Sequence, residues 1–311
     1  MGNHLIVITK TPHRITLGGG GTDITWYSQK RGGAWISAAI DQYVYLKVKP
    51  LPNKNITDVS NQIIRECLKL TKTTHGVEII STSDIPGKSG LGGSGAFTVG
   101  LLHALYKHQG INKSKENLAK EAYFIERIKL QKPIGPQDQY ITALGSLRYF
   151  EMDKKGNVQH EPLELMATTI FRLKNNLLFF STGVQRDASL VLSDVKKSAE
   201  TQALDKIKEI GKMAKTYLLK NKLNDFGKTF HEHWLIKRKL SDKVTNSYFD
   251  EIYDEAMRSG ALGGKIMGAG GGGWFVFYID KNKSRLRNKM RKMRLKEHKF
   301  GFDWEGTRLA I

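Results

Sequence analysis

The sequence predicts a two-domain protein of the α+β class, and three observations point there. Strand-like and helix-like periodicities interleave along the whole chain. At 311 residues the length suits about two domains of roughly 150 residues each. After a turn-forming run, Asp153-Lys154-Lys155-Gly156-Asn157, the character changes towards lysine-rich helix, which puts a boundary near residue 165 and domains at 1–165 and 166–311. No repeat of fixed period is present, which excludes solenoids and propellers.

The elements follow in order. Leu5–Thr9 reads as a short strand that stops at Thr11-Pro12, before the cluster Gly18–Gly21. Ala34–Lys49, rich in Val, Ile and Tyr, predicts a strand or a hairpin. Val59, Ile63, Cys67 and Leu70 recur at helical spacing within Thr57–Thr71. Gly76–Thr82 predicts a strand and Asp84–Gly95 a second glycine-rich loop. Helices are expected over Ala96–Gln109, Ser114–Lys129 and Asp138–Gly145, and a strand over Ser146–Glu151. In the second half, Asn176–Thr182 predicts a strand, and Asp187 to about Arg258 is mostly helical. A third glycine cluster, Gly263–Gly273, precedes a strand at Trp274–Ile279. A basic helix is expected over Ser284–Glu297, and a short strand at Trp304–Ile311.

Composition excludes several classes. With 40% hydrophobic and 26% charged residues the chain is globular in character, not disordered. Cys67 is the only cysteine, so no intramolecular disulfide is expected and a thiolate zinc site is disfavoured. No apolar run approaches the ~20 residues of a membrane span. The start, MGNHLIVITK, is too short in apolar residues for a signal peptide, and Ile6 stands where a myristoylation signal wants Ser or Thr. A cytoplasmic location without membrane partners is the expectation. The net charge of +20 invites either nucleic acid or phosphates as ligands. Lys281–Lys299 alone carries ten Lys or Arg against Glu297, a net +9, with Leu286, Met290 and Met293 at helical spacing, so this stretch reads as an amphipathic helix with a solvated basic face.

The second glycine loop lies between a predicted strand and a predicted helix, where backbone N–H groups and a helix N-terminus favour anions. Gly87-Lys88-Ser89 imitates the end of a Walker A loop, but position 82, where the leading glycine belongs, is Thr82. Gly90-Leu91-Gly92-Gly93-Ser94-Gly95 fits G-x-G-x-x-G, yet another helix follows where a dinucleotide fold needs a strand. Gly92-Gly93-Ser94-Gly95-Ala96 resembles a nucleophile elbow, but the late histidines His231, His233 and His298 sit in lysine-rich predicted helices, poor places for a buried base. His231 and His233, two residues apart, do not share a helix face for a metal. Three glycine loops, each beside a strand, favour phosphate binding over three tight turns.

Together the loops carry a resemblance. Pro12-His13-Arg14 with Gly18–Gly21-Thr22-Asp23, then Pro86…Gly90-Leu91-Gly92…Ser94…Ala96, then Gly263-Gly264-Lys265-Ile266-Met267-Gly268-Ala269-Gly270-Gly271-Gly272-Gly273 resemble, in order and spacing, the three motifs of the GHMP kinases. Gln137-Asp138-Gln139-Tyr140, Thr182-Gly183-Val184-Gln185-Arg186 and Trp304-Glu305-Gly306-Thr307-Arg308 are most similar to the D-glycero-D-manno-heptose 7-phosphate kinase branch. Two positions depart from the usual motifs: Gly93-Ser94 replaces a serine pair, and His13 and Gly18 stand where leucine and alanine are common.

The resemblance implies an N-terminal domain like ribosomal protein S5 domain 2 and a ferredoxin-like C-terminal domain. It implies ATP-dependent phosphorylation of the anomeric hydroxyl of the heptose 7-phosphate, with Mg2+, in a monomer or homodimer that takes a sugar phosphate and no nucleic acid. Pro86, Gly90, Leu91, Gly92, Gly93, Ser94, Gly95 and Ala96 would cradle the nucleotide, and Ser94 and Glu126 would hold the metal. Asp138 would orient and deprotonate the acceptor while Arg14 stabilises the moving phosphoryl group. Gly20, Gly21, Thr22, Asp23, Gly270 and Gly271 would face the sugar, and Arg186 its phosphate. Within the class, a fucose or galactose type of anomeric kinase is the alternative; outside it, a basic nucleic-acid-binding protein with no ATP turnover.

Overall fold

The computed structural model describes residues 5–55, 59–185, 188–198 and 201–310. Strand β1 (Val7–Gly18) does not stop at Pro12 but continues to the first glycine. The proline is accommodated where the pairing register shifts, between Pro12 and His13. Helix α1 (Thr25–Arg31) leads into β2 (Gly33–Asn55), one 23-residue strand and not a hairpin. β2 is the spine of the first sheet: its middle, Ile36 to Val48, pairs with β1, and its two ends serve different partners. Helix α2 (Gln62–Leu70) starts at Asn61, whose side chain accepts from the N–H groups of Ile63 and Ile64. β3 (His75–Ser83) pairs with the second half of β2.

Helix α3 (Gly93–His108) starts three residues ahead of the predicted Ala96. Helix α4 (Lys115–Tyr123), capped by Ser114, runs on into a π-helical turn, Phe124–Lys129. Then come α5 (Gln137–Leu144), β4 (Leu147–Met152) and β5 (Val158–Pro162). The sheet order is β4 and β5 outward from β2 on one side and β1 on the other, all antiparallel, with α3, α4 and α5 packed over Trp35, Leu46, Leu101, Leu105 and Phe150.

Helix α6 (Ala167–Asn176), which the sequence reading left without an element, opens the second half. It is followed by β6 (Leu177–Ser181), α7 (Ala188–Ser198), α8 (Thr201–Leu219), α9 (Leu223–Lys237), α10 (Ser247–Arg258), β7 (Gly263–Ile266) and β8 (Trp274–Tyr278). Helix α11 (Lys283–Lys292) closes at Arg294, whose backbone is left-handed, so residues of the expected helix beyond it form β9 (Lys296–His298) instead. The strands order as β7-β8-β6-β9, all antiparallel. Strand, helices, two strands, helix, strand in that order is the ferredoxin-like arrangement that was expected. On α11, Leu286 and Met290 are fully buried, while Arg287 pairs with Glu297 and Lys289 with Glu255.

The two sheets share one apolar core. Ile15, Leu17 and Ile36 of the first pack in the same cluster as Phe179 and Val276 of the second, together with Ala214 of α8 and Phe226 of α9. The last strand, β10 (Arg308–Leu309), returns to the first sheet and pairs with β1. Asp303 anchors that return: buried, it accepts from the Tyr43 hydroxyl (3.0 Å), from Arg308 (2.8 Å) and from the Glu305 and Gly306 N–H groups. Replacing it leaves these donors unpaired. Asp303→Ala is expected to lower stability by roughly 2–4 kcal/mol, read as a fall in the urea midpoint. An unchanged midpoint would show that the C-terminal return lies outside the cooperative unit.

Candidate active site

A cleft of about 450 Å³ lies where the end of β1, the loop before α3, the first turns of α3 and α5, the π-helical turn, α9 and β7 converge. Chemistry on its first-sheet side is organised by Arg14 and Asp138, 124 residues apart in sequence. Arg14 is almost wholly buried, and its Nε and Nη2 contact Asp138 Oδ1 at 2.8 and 2.7 Å. Its Nη1 donates to the Gly90 carbonyl (2.7 Å) and its backbone N–H to Leu91 (3.0 Å), which ties the glycine loop to β1. Two loop glycines make this possible. A side chain on Gly92, whose φ is +77°, would collide with Arg14 Cγ at 2.9 Å, and one on Gly95 with Asp138 Cβ at 2.9 Å. These two glycines make room for the Arg14–Asp138 pair.

A second cluster forms around Glu126, on the π-helical turn, a feature that often marks functional sites. Its carboxylate is 1% exposed and fully engaged. Thr98 (3.0 Å) and Gln139 (2.9 Å) donate to Oε1, and the Ser94 hydroxyl and Lys132 Nζ (2.7 Å) donate to Oε2. Lys132 also donates to Ser94 Oγ at 2.9 Å. A cation therefore already rests on the two side-chain oxygens expected to hold a metal. Hard oxygen donors of this kind suit Mg2+, which uses few protein ligands alongside phosphate oxygens. Ser94 is exposed in the first turn of α3, whose N–H groups face the same space.

Asp23 is buried and accepts from the Gln137 N–H at 3.3 Å, while Gln137 is itself held by Thr16 (2.8 Å) and Ser37 (3.1 Å). Burial pushes the Asp23 carboxyl up to about 6, helped by the negative charge of Asp138. Gly20 and Gly21 line the cleft beside it. Thr22 does not: its hydroxyl donates to the Gly19 and Ala34 carbonyls and accepts from the Ala34 N–H, so it closes the loop internally. In the second loop, Gly90 and Gly92–Gly95 face the cleft, whereas Leu91 and Ala96 are core residues and Pro86 is exposed outside it. The third loop presents Met267, Gly268 and Ala269 to the cleft. Gly270 and Gly271 instead turn to Val244, whose carbonyl takes the Gly271 N–H at 2.7 Å. Arg186 lies outside the described residues.

Sequence reasoning passed over several cleft residues. Lys132, Thr98 and Gln139 surround Glu126 but belong to no glycine motif. Lys265 was visible only as part of the third motif, and His233 was set aside as a helical surface histidine, yet both are 2% exposed and line the cleft. His298 lies on β9, not on a helix. His13 is buried between the Leu91 carbonyl (3.2 Å) and the Ser83 hydroxyl (3.0 Å), and burial lowers it to about 4.

Comparison with known proteins bears on what this cleft does. Residues 59–146 match the model for the GHMP kinases N terminal domain, and residues 214–295 that for the GHMP kinases C terminal region. The chain is 28% identical to the D-glycero-alpha-D-manno-heptose 7-phosphate kinase of Campylobacter jejuni, over 96% of this chain and 97% of that one. It is 30% identical to the mevalonate kinase of Saccharolobus solfataricus, over 71% and 68% of the two chains. In fold it is similar to a D-glycero-D-manno-heptose 1-phosphate kinase from Bacteroides thetaiotaomicron, with a TM-score of 0.82 at 22% identity, covering 98% of this chain and 99% of that one.

The raised Asp23 carboxyl has a consequence for stability. Its folded pKa, about 6, exceeds the ordinary 3.8, so the folded state holds this proton more tightly. Stability is thus lost as pH rises from about 4 to about 6, and the cost above that window is roughly 3 kcal/mol. Asp23→Asn removes this loss. Its stability relative to wild type is expected to improve by about 2 kcal/mol between pH 4.5 and pH 7.5 in urea titrations; a pH-independent difference would contradict the assignment.

Proposed function

The chain belongs to the GHMP kinases, phosphotransferases with alcohol acceptors, and on that premise we propose that it transfers the γ-phosphoryl group of ATP to the anomeric hydroxyl of D-glycero-D-manno-heptose 7-phosphate, giving the 1,7-bisphosphate. The arrangement that carries this reading is the Arg14–Asp138 pair at the cleft. Both guanidinium contacts go to Oδ1, which leaves Oδ2 without a hydrogen bond from the described residues and available to a hydroxyl. The choice of acceptor is supported by the near-full-length likeness to the Campylobacter jejuni enzyme.

In this reading the first turn of α3 receives the nucleotide phosphates, and their charge is met by the helix N-terminus and the N–H groups of the loop. Ser94 and Glu126 would hold Mg2+, which would neutralise charge on the phosphate oxygens. Asp138 Oδ2 accepts a hydrogen bond from the acceptor hydroxyl and takes its proton late, as a loose phosphoryl transfer permits. The anomeric hydroxyl is the most acidic of a sugar, so a modest base suffices. Arg14 stabilises negative charge on the group in transit, while its hold on Asp138 keeps the carboxylate aimed. Asp23, ionised above about 6, accepts hydroxyl groups of the sugar and fixes its orientation.

Asp138→Asn is expected to lower ADP release at least about a hundredfold, the range of a lost acid–base group, in protein that still folds but melts at a lower temperature because buried Arg14 loses its counter-charge; undiminished turnover would remove Asp138 from the mechanism. Ser94→Ala is expected to raise the Mg2+ concentration needed for half-maximal rate. A panel of heptose 7-phosphate, fucose and galactose in the same assay decides the acceptor, and preference for a free hexose would overturn the heptose assignment.

A further inference from the structure

The cations of the cleft differ in how they are paired. Arg14 is neutralised by Asp138 and Lys132 by Glu126. Lys265, on β7, is 2% exposed, and its ammonium has neither an ion-pair partner nor a hydrogen-bond acceptor among the described residues. It rests 4.9 Å from the centre of the Phe230 ring of α9, and the charge it feels most is that of Arg14, also positive. Beside it on α9, His233 is equally buried, lines the same cleft, and has an Nδ1 with no partner. Lys237, one turn further along α9, spends its ammonium on the carbonyls of Ile266 (2.9 Å) and Gly268 (2.6 Å) and adds positive potential to the same wall.

Burying an ammonium against like charge, without an anion, is costly. The cost shows in the titration: burial lowers Lys265 to about 7 and His233 well below its ordinary value. Two polar side chains held in this state at the wall of a cleft are a site prepared for an anion. The nucleotide phosphates have a different seat, at the first turn of α3, and Arg14 stands between the two: it contacts that loop at Gly90 and Leu91, and its charge reaches Lys265.

We propose that Lys265 and His233 seat the acceptor's own anionic group, a phosphate monoester remote from the hydroxyl that reacts at Asp138. This rests on the sugar-phosphate reading above and gives it a structural source: selection for a phosphorylated acceptor. Lys265 supplies the charge, His233 donates a directed hydrogen bond from its unpartnered ring nitrogen, and the Phe230 ring holds the lysine stem in place. Arg186, expected from the sequence to meet this phosphate, is the competing residue.

The test compares wild type with Lys265→Met, His233→Gln and Arg186→Ala. Binding of inorganic phosphate is measured by isothermal titration, and kcat/KM for heptose 7-phosphate against unphosphorylated heptose by ADP release. Wild type is expected to bind phosphate competitively with the phosphosugar. Lys265→Met is expected to lose that binding and to reduce the selectivity ratio by about tenfold or more, with an unchanged KM for ATP; His233→Gln gives the same signature in smaller measure and covers the case that Lys265→Met does not fold. An equal loss for both acceptors, a raised KM for ATP, or a loss of selectivity confined to Arg186→Ala would overturn the proposal. Should no sugar be phosphorylated, the substrate reading fails alone. Phosphate titration then still decides the site, which stands if Lys265→Met abolishes binding and falls if it does not.

Discussion

Arg14 is a guanidinium taken almost wholly out of water, and a charge so placed must be met by an opposite charge and by enough acceptors for its rigid fork of donors. Asp138 and the Gly90 carbonyl meet it. The demand fixes three pieces of backbone at once: β1, which carries Arg14; the glycine loop, which supplies the carbonyl; and the start of α5, which supplies the carboxylate. Once these are fixed, Gln137, next to Asp138, is also fixed and hands its N–H to Asp23. The glycine loop, Asp138 and Asp23 are therefore one assembly. A single buried charge explains why residues far apart in sequence share one wall.

Cations around the cleft divide its labour. Those already neutralised, Arg14 and Lys132, tie the elements of the cleft together; Lys265 is buried in its wall without a counter-charge among the described residues, which suits it to the proposed phosphate. The same logic separates the carboxylates. Glu126 is saturated by four donors, whereas Asp138 keeps one oxygen open among the described residues and Asp23 is met by backbone donors alone among them. In a low-dielectric cleft an unsatisfied group has more to gain from substrate than a satisfied one. The bulk charge of the chain plays a smaller part: on α11, Leu286 and Met290 dock the helix, and two of its basic residues are paired with Glu297 and Glu255.

Most of the elements were legible because their signals are local. Helix caps at Asn61 and Ser114, the turn at Asp153 and the apolar spacing of the helices act over a few residues. What escaped was set by distant parts of the chain. β1 outruns Pro12 because a register shift against β2 absorbs the proline, and β9 replaces the end of a helix because β6 offers it an edge. The glycine motifs were legible as loops, yet not which of their faces meets the cleft. Leu91 and Ala96 are core, Thr22 bonds within its own loop, and Gly270 and Gly271 pack on Val244, a residue of another segment. His233 was misjudged for a similar reason: helix periodicity gives a face, not what covers that face.

Lys132 carries the division of labour one step further. Its ammonium bridges Ser94 and Glu126, and two positive charges do not share so small a site without large repulsion. In the proposed reaction a divalent cation on those oxygens would take the place of the ammonium. Lys132 and a divalent cation would each neutralise Glu126, so exchanging one for the other would leave this buried carboxylate compensated. The π-helical turn holds Glu126 at the point where that exchange would take place.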